Sequence, residues 1–141
     1  MSELERIQQF VREEIIGYIE FAQISVLADS IDNPPTEIKN LSKIVVMRPL
    51  PISATTNADY PVFDNVEIKL KVYIPLYENT GKSILYYCEK LCKKLHNRKI
   101  STRNNVGRIL ISKINPIEII SKNNHEIATI NFIINGVKIW K

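Results

Sequence analysis

Residues 66–75 read Val66-Glu67-Ile68-Lys69-Leu70-Lys71-Val72-Tyr73-Ile74-Pro75, and this run decides the fold. Side chains on a strand point alternately to opposite faces. Val66, Ile68, Leu70, Val72 and Ile74 therefore make one wholly aliphatic face. Glu67, Lys69, Lys71 and Tyr73 make a charged or amphipathic one. Pro75 ends the pattern, having no N–H to give a ladder. Glu78-Asn79-Thr80-Gly81 is turn chemistry, with Asn79 or Thr80 available as a helix cap. Ile84, Cys88, Leu91, Cys92 and Leu95 then recur at helical spacing, with Lys90, Lys93, Lys94 and Asn97 on the other side. Residues 61–98 thus form a strand–turn–helix unit, and the rest of the chain must cover its two apolar faces.

Working outward, Ser2 and Glu5 have the spacing of a capping box, and they open a helix over residues 2–18. Leu4, Ile7, Phe10 or Val11, Ile15 and Tyr18 lie on its apolar stripe, with Glu3, Gln8, Arg12 and Glu13 largely opposite. Phe21–Leu27 fits a short strand or a continued helix, and the alternation of Ile24, Val26 and Ala28 favours the extended form. Asp32-Asn33-Pro34-Pro35 forbids regular structure. Lys43–Pro49 is a second strand, apolar enough to be covered on both faces. Pro49, Pro51 and the polar run Ser53–Asp59 read as a long loop over about 50–60, an arm or flap reaching out of the body. Asn97–Asn105 reads as a polar connector. Residues 108–134 read as a hairpin: a strand from Arg108 to Ser121, interrupted at Asn115-Pro116, a turn at Lys122–His125, and a last strand from Glu126 to Ile134. Val137, Ile139 and Trp140 form a short apolar tail. The expectation is one α+β domain over residues 1–141, with a mostly antiparallel sheet of four to five strands and two main helices packed on one face.

The 141 residues suit a single domain, and 45% of them are hydrophobic, enough for a core without metal or disulfides. Nineteen Lys and Arg against fifteen Asp and Glu leave a charge of +4, a mild bias. Cys88 and Cys92 stand one helical turn apart with nearly parallel side chains. They read as small buried hydrophobes, and free thiols fit a reducing cytoplasm. The first residues lack the apolar core of a signal peptide, and no run approaches a membrane span.

Catalytic, cofactor and metal chemistry finds no support in these motifs. Gly81-Lys82-Ser83 has Leu76 where a phosphate loop needs glycine, and bulky side chains between. His96 and His125 sit in no metal motif and read as surface histidines. Lys90, Lys93, Lys94, Arg98, Lys99, Arg103 and Arg108 fall close together. They are either a solvated face or a contact for a negatively charged partner, protein or DNA.

The order of elements resembles the tail terminator (minor tail protein U-like) and tail-completion proteins of tailed bacteriophages. The features that carry the resemblance are the Ser2–Tyr18 helix, the Phe63–Pro75 strand, the following helix ending Leu95-His96-Asn97, and the closing strands Arg108–Ser121 and Glu126–Ile134. The resemblance implies a ring, typically of six subunits, that caps the tail tube, stops its polymerisation and offers a surface to the head–tail connector. Its partners would be other copies of itself, the tail tube protein, the connector proteins and genomic DNA passing without specific binding, with no membrane or cofactor. It would sit in the virion tail, assembled in the host cytoplasm. A heterologous contact that closes is then required. The Glu67, Lys69, Lys71 and Tyr73 face suits such a contact, though a plain solvent-facing strand fits as well. Lys90, Lys93, Lys94, Arg98 and Arg103 are the candidate basic contact surface. A basic nucleic-acid-binding module and a protein-interaction domain are the alternative readings.

Overall fold

A computed structural model describes residues 2–29, 42–56, 61–75, 83–102, 106–115, 118–120, 125–135 and 139–140. The elements are α1 (Glu3–Ile16), a 3-10 turn (Ile19–Phe21), β1 (Ser25–Ala28), β2 (Lys43–Val46), β3 (Leu50–Thr56), β4 (Pro61–Pro75), α2 (Ile84–Leu95), β5 (Arg98–Ser101), β6 (Val106–Ile114), β7 (Glu118–Ile120), β8 (His125–Asn135) and β9 (Ile139–Trp140). The nine strands among the described residues belong to one sheet, with the main order β1-β2-β4-β8-β6-β5. The other three extend lanes already present. β3 continues β2 along β4, β9 continues β8 along β4, and β7 continues β6 along β8.

The expected four-to-five-stranded, mostly antiparallel sheet is therefore incorrect. The sheet is a curled, mixed half-barrel of six to seven strands once strands that continue one another are taken together. Its mixed character comes from β1, which runs parallel to β2. Parallel neighbours need a crossover of a dozen or so residues, and the stretch between β1 and β2 is long enough to supply one. Two strands replace segments read as loops. Leu50–Thr56 pairs with β4 as β3, and the rest of the expected loop, 57–60, lies outside the described residues. Arg98–Ser101 pairs with β6 as β5. Both are outer strands without a clean apolar alternation. Pro51 is compatible with β3 because an outer strand can do without one N–H.

The core follows the alternation of β4. Val66, Ile68, Leu70, Val72 and Ile74 join Ala128, Ile130, Phe132 and Ile134 of β8 in one buried cluster. The β4–β8 register sets them side by side, with Leu70 opposite Ile130 and Ile68 opposite Phe132. Ile7, Val11 and Ile15 of α1 pack on this face, as do Ile84, Tyr87, Leu91 and Leu95 of α2. Both helices thus cover the same side, and among the described residues the opposite face of the sheet carries no helix.

Local signals fix the helix ends. Ser2 and Glu5 form the capping box, each side chain bonded to the other's backbone N–H, at 3.1 and 3.2 Å. For α2 the cap is Ser83, whose Oγ accepts from Tyr86 N at 3.2 Å, and not Asn79 or Thr80. Asn97 leaves α2 at φ 64°, a left-handed conformation that Asn tolerates. Its N–H donates to Ile109 O, tying the helix exit to β6. The strand expected after Arg108 is divided into β6, ending at Ile114, and β7, starting at Glu118; Pro116 lies outside the described residues. The β6 register slips between Ile111 and Lys113, and Asn115 N donates to Thr129 O. The Asp32–Pro35 break, the Glu78–Gly81 turn, the Lys122–Asn124 turn and Arg103 lie outside the described residues.

Two polar side chains read as solvent-facing instead anchor α1. Gln8 is buried, and its Nε2 donates to Asp29 O and Val46 O at 2.8 and 2.9 Å. Arg12 Nε donates to Val26 O at 3.0 Å. His125 is buried too, contrary to the surface reading.

Candidate functional site

Three of the cations in the candidate basic surface have carboxylate partners, and Arg103 lies outside the described residues. Lys93 pairs with Glu89 at 2.8 Å, Lys94 with Glu20 at 3.5 Å and Arg98 with Glu14 at 2.6 Å. Lys90 lies over the Tyr86 ring. The last two ion pairs converge on Tyr18. Its hydroxyl donates to Glu14 at 2.8 Å, and the Lys94 and Arg98 cations lie 5.6 and 5.9 Å from its ring centre. Burial, and then the Glu14 hydrogen bond, hold the Tyr18 hydroxyl well above the ordinary tyrosine range. This cluster joins α1, the 3-10 turn, α2 and β5. Its positive charges are balanced in place, so it ties these four elements together.

Glu67, Lys69, Lys71 and Tyr73 occupy the face of β4 turned away from α1 and α2, which no helix among the described residues covers. β4 is an interior strand, flanked by β2 and β3 on one side and β8 and β9 on the other. The four residues therefore offer a surface and no free strand edge. Glu67 and Lys69 are 3.9 Å apart. Tyr73 is half-buried beneath the Lys43 ammonium, which sits 5.0 Å from its ring centre. Burial lowers the pKa of Lys43. It raises that of Tyr73, with the charge of Asp29 adding to the effect.

The register extends this face across neighbouring strands. Lys71 lies opposite Thr129, and Asn131 lies between Lys69 of β4 and Lys113 of β6. Arg108 lies between Asn135 of β8 and Lys99 of β5. An open cleft of about 530 Å³ runs over this last row, lined by Asn97, Lys99, Val106, Gly107, Arg108, Leu110 and Asn135. Arg108 Nη1 donates to Asn97 O at 3.0 Å, which holds the guanidinium at the cleft wall. Lys99 and Arg108 were part of the sequence cluster, but Lys113 was not, and only strand pairing brings it near.

Cys88 and Cys92 are free and half-buried. Burial pushes the Cys88 thiol up to about 11, with the neighbouring Cys92 contributing, and raises Cys92 as well. Among the described residues no group of three or more His, Cys, Asp or Glu could hold a metal ion, and no helix is long and apolar enough to cross a membrane.

A curled mixed sheet with both described helices on one face, and a second face that is buried at Val45, Lys43 and Ile127 and exposed at Lys69, Lys99, Arg108 and Lys113, defines the architecture. No protein-family model and no curated protein matches the chain. Among solved structures, the same fold occurs in a chain of the virion of a native gene transfer agent (GTA) particle. The TM-score is 0.70 over 94% of this chain and 95% of that one, at 7% sequence identity. At that identity the likeness is one of fold.

Proposed function

We propose that this chain is a structural protein of a phage or phage-like particle. Within that class we assign it to tail termination or completion: a ring that caps the tail tube, stops its growth and presents a joining surface to the head. The observation that carries the class is the end-to-end fold correspondence with a virion chain, which leaves almost no residue of either partner unaccounted for. The order of elements along the sequence supports the finer assignment.

The sheet suits a head-to-tail contact. Its two sides differ, with β1 and β3 along one and β5 along the other. A closed ring needs two unlike, complementary surfaces on each subunit. Leu50 and Ile52 of β3 are 66% and 49% exposed, and Val106, opposite Ser101 of β5, is 58% exposed. Each side thus offers apolar area next to strand backbone, the combination through which strands add to one another. The partners are then further copies of this chain, the tube protein and the head–tail connector, in a virion tail assembled in the host cytoplasm.

The test is loss of the gene in a cell that produces the particle, read by electron microscopy. The expected result is tubes of irregular length and heads without attached tails. Particles with joined tails of uniform length would overturn the proposal.

A further inference from the structure

The two faces of the sheet treat their positive charges differently. On the helix side, Arg6, Lys93, Lys94 and Arg98 each pair with a carboxylate, at 3.2, 2.8, 3.5 and 2.6 Å. On the helix-free side stand Lys69, Lys71, Lys99, Arg108 and Lys113. Among the described residues only Lys69 has a carboxylate within reach, Glu67 at 3.9 Å. The strand register makes the imbalance sharper. Lys99 lies directly opposite Arg108, and like charges at paired positions repel. Lys69 and Lys113 flank Asn131 from its two sides. The Asn131 amide is itself held by Asn115, whose Nδ2 lies 3.3 Å from its Oδ1. A folded chain keeps such a set together more easily when an anion spans it.

We infer that the helix-free face is a sequence-independent contact surface for the phosphate backbone of duplex DNA. The inference rests on the proposed place in a particle through which a genome passes. The chemistry of the face selects this partner over others. Strand spacing of about 4.8 Å and a rise of about 3.4 Å per residue spread the five cations over roughly 14 by 20 Å. That matches a diffuse array of phosphates, whereas a single bound anion would need converging donors. Single strands are held by exposed aromatic platforms. Tyr73, on this face, is half-buried under Lys43 and offers none. Lysine and arginine side chains directed at phosphate fix position without reading bases. The contact is therefore weak, salt-sensitive and compatible with sliding.

The experiment measures binding of a fluorescein-labelled 24-base-pair duplex to the full chain by anisotropy, from 50 to 200 mM salt. About four phosphate contacts predict a roughly 150-fold fall in affinity over that range. The double variant Lys99→Ala/Arg108→Ala is expected to bind more weakly, with the fall reduced to about 12-fold. Lys69→Ala/Lys113→Ala is expected to act alike, so the result does not hang on one pair of substitutions. Lys90→Ala/Lys93→Ala/Lys94→Ala, on the helix side, is the control and keeps the wild-type salt dependence. Absence of binding at 50 mM salt would overturn the inference. So would unchanged binding in both sheet-face variants, or loss in the control alone. Polyglutamate binding as tightly as DNA would overturn it in favour of an acidic protein partner. Oligomer mass recorded on the same samples separates a loss of DNA binding from a loss of ring formation.

Discussion

Replacing Gln8 by leucine tests how α1 is attached to the sheet. The Gln8 amide is buried between α1 and the parallel β1–β2 pair, and it donates to two backbone carbonyls at 2.8 and 2.9 Å. Gln8→Leu keeps the volume and removes both donors. The Val46 carbonyl retains the Asp29 N–H at 2.9 Å. The Asp29 carbonyl loses the donor that Gln8 supplied. A buried acceptor left unsatisfied costs about 1–3 kcal/mol, and each lost hydrogen bond contributes about 1 kcal/mol net. Extra apolar burial offsets part of this, so the expected destabilisation is about 2 kcal/mol. At about 2.1 cal/mol/K per residue, 141 residues have an unfolding entropy near 0.3 kcal/mol/K, and Tm falls by about 7 °C. Urea unfolding followed by circular dichroism measures the change, with an unaltered m-value as the sign that the folded state is kept. A loss below about 0.5 kcal/mol would refute the claim that these hydrogen bonds fix α1.

Tyr18 and Cys88 provide two further tests. The Tyr18 hydroxyl titrates above its ordinary value of 10.0 in the folded chain because of burial and its bond to Glu14. The folded state therefore holds this proton more tightly than the unfolded state. Its contribution is complete below pH 10 and is lost as pH rises from there, so Tyr18→Phe should show a smaller loss of stability than wild type between pH 9 and 11 in urea melts. Equal losses would contradict the assignment. For Cys88, a thiol pushed up to about 11 is almost wholly protonated at pH 8, so iodoacetamide should modify it at least tenfold more slowly in the native chain than in urea. Equal rates, followed by mass spectrometry, would show that the thiol is neither buried nor shifted.

The elements legible in the sequence are those whose signal is local. Ser2 and Glu5 carry their own hydrogen-bond geometry, and the capping box follows from spacing alone. The alternation of β4 fixed its buried face, and Ala128, Ile130, Phe132 and Ile134 did the same for β8. What escaped depends on partners far away in the chain. β3 and β5 are short, polar or proline-containing, and become strands because β4 and β6 offer backbone to pair with. The parallel direction of β1 leaves no trace in four residues. Gln8 and Arg12 look solvated on a helical wheel, but the carbonyls they meet belong to β1, β2 and Asp29.

The candidate surfaces divide in the same way. The Glu89–Lys93 pair is visible at i, i+4. Glu14 and Glu20, which balance Arg98 and Lys94, lie more than seventy residues away, so the sequence cluster looked more positive than it is. Conversely, Lys69, Lys99, Arg108 and Lys113 belong to three different strands, and only the register places them on one face.

Solution mass by light scattering across protein concentration tests the ring most directly. The account predicts one discrete species near six times the 16.3 kDa chain, about 98 kDa, at every concentration where the ring is closed. A stable dimer, whose single two-fold contact would pair like surfaces and leave no unlike edges to close a ring, would contradict it.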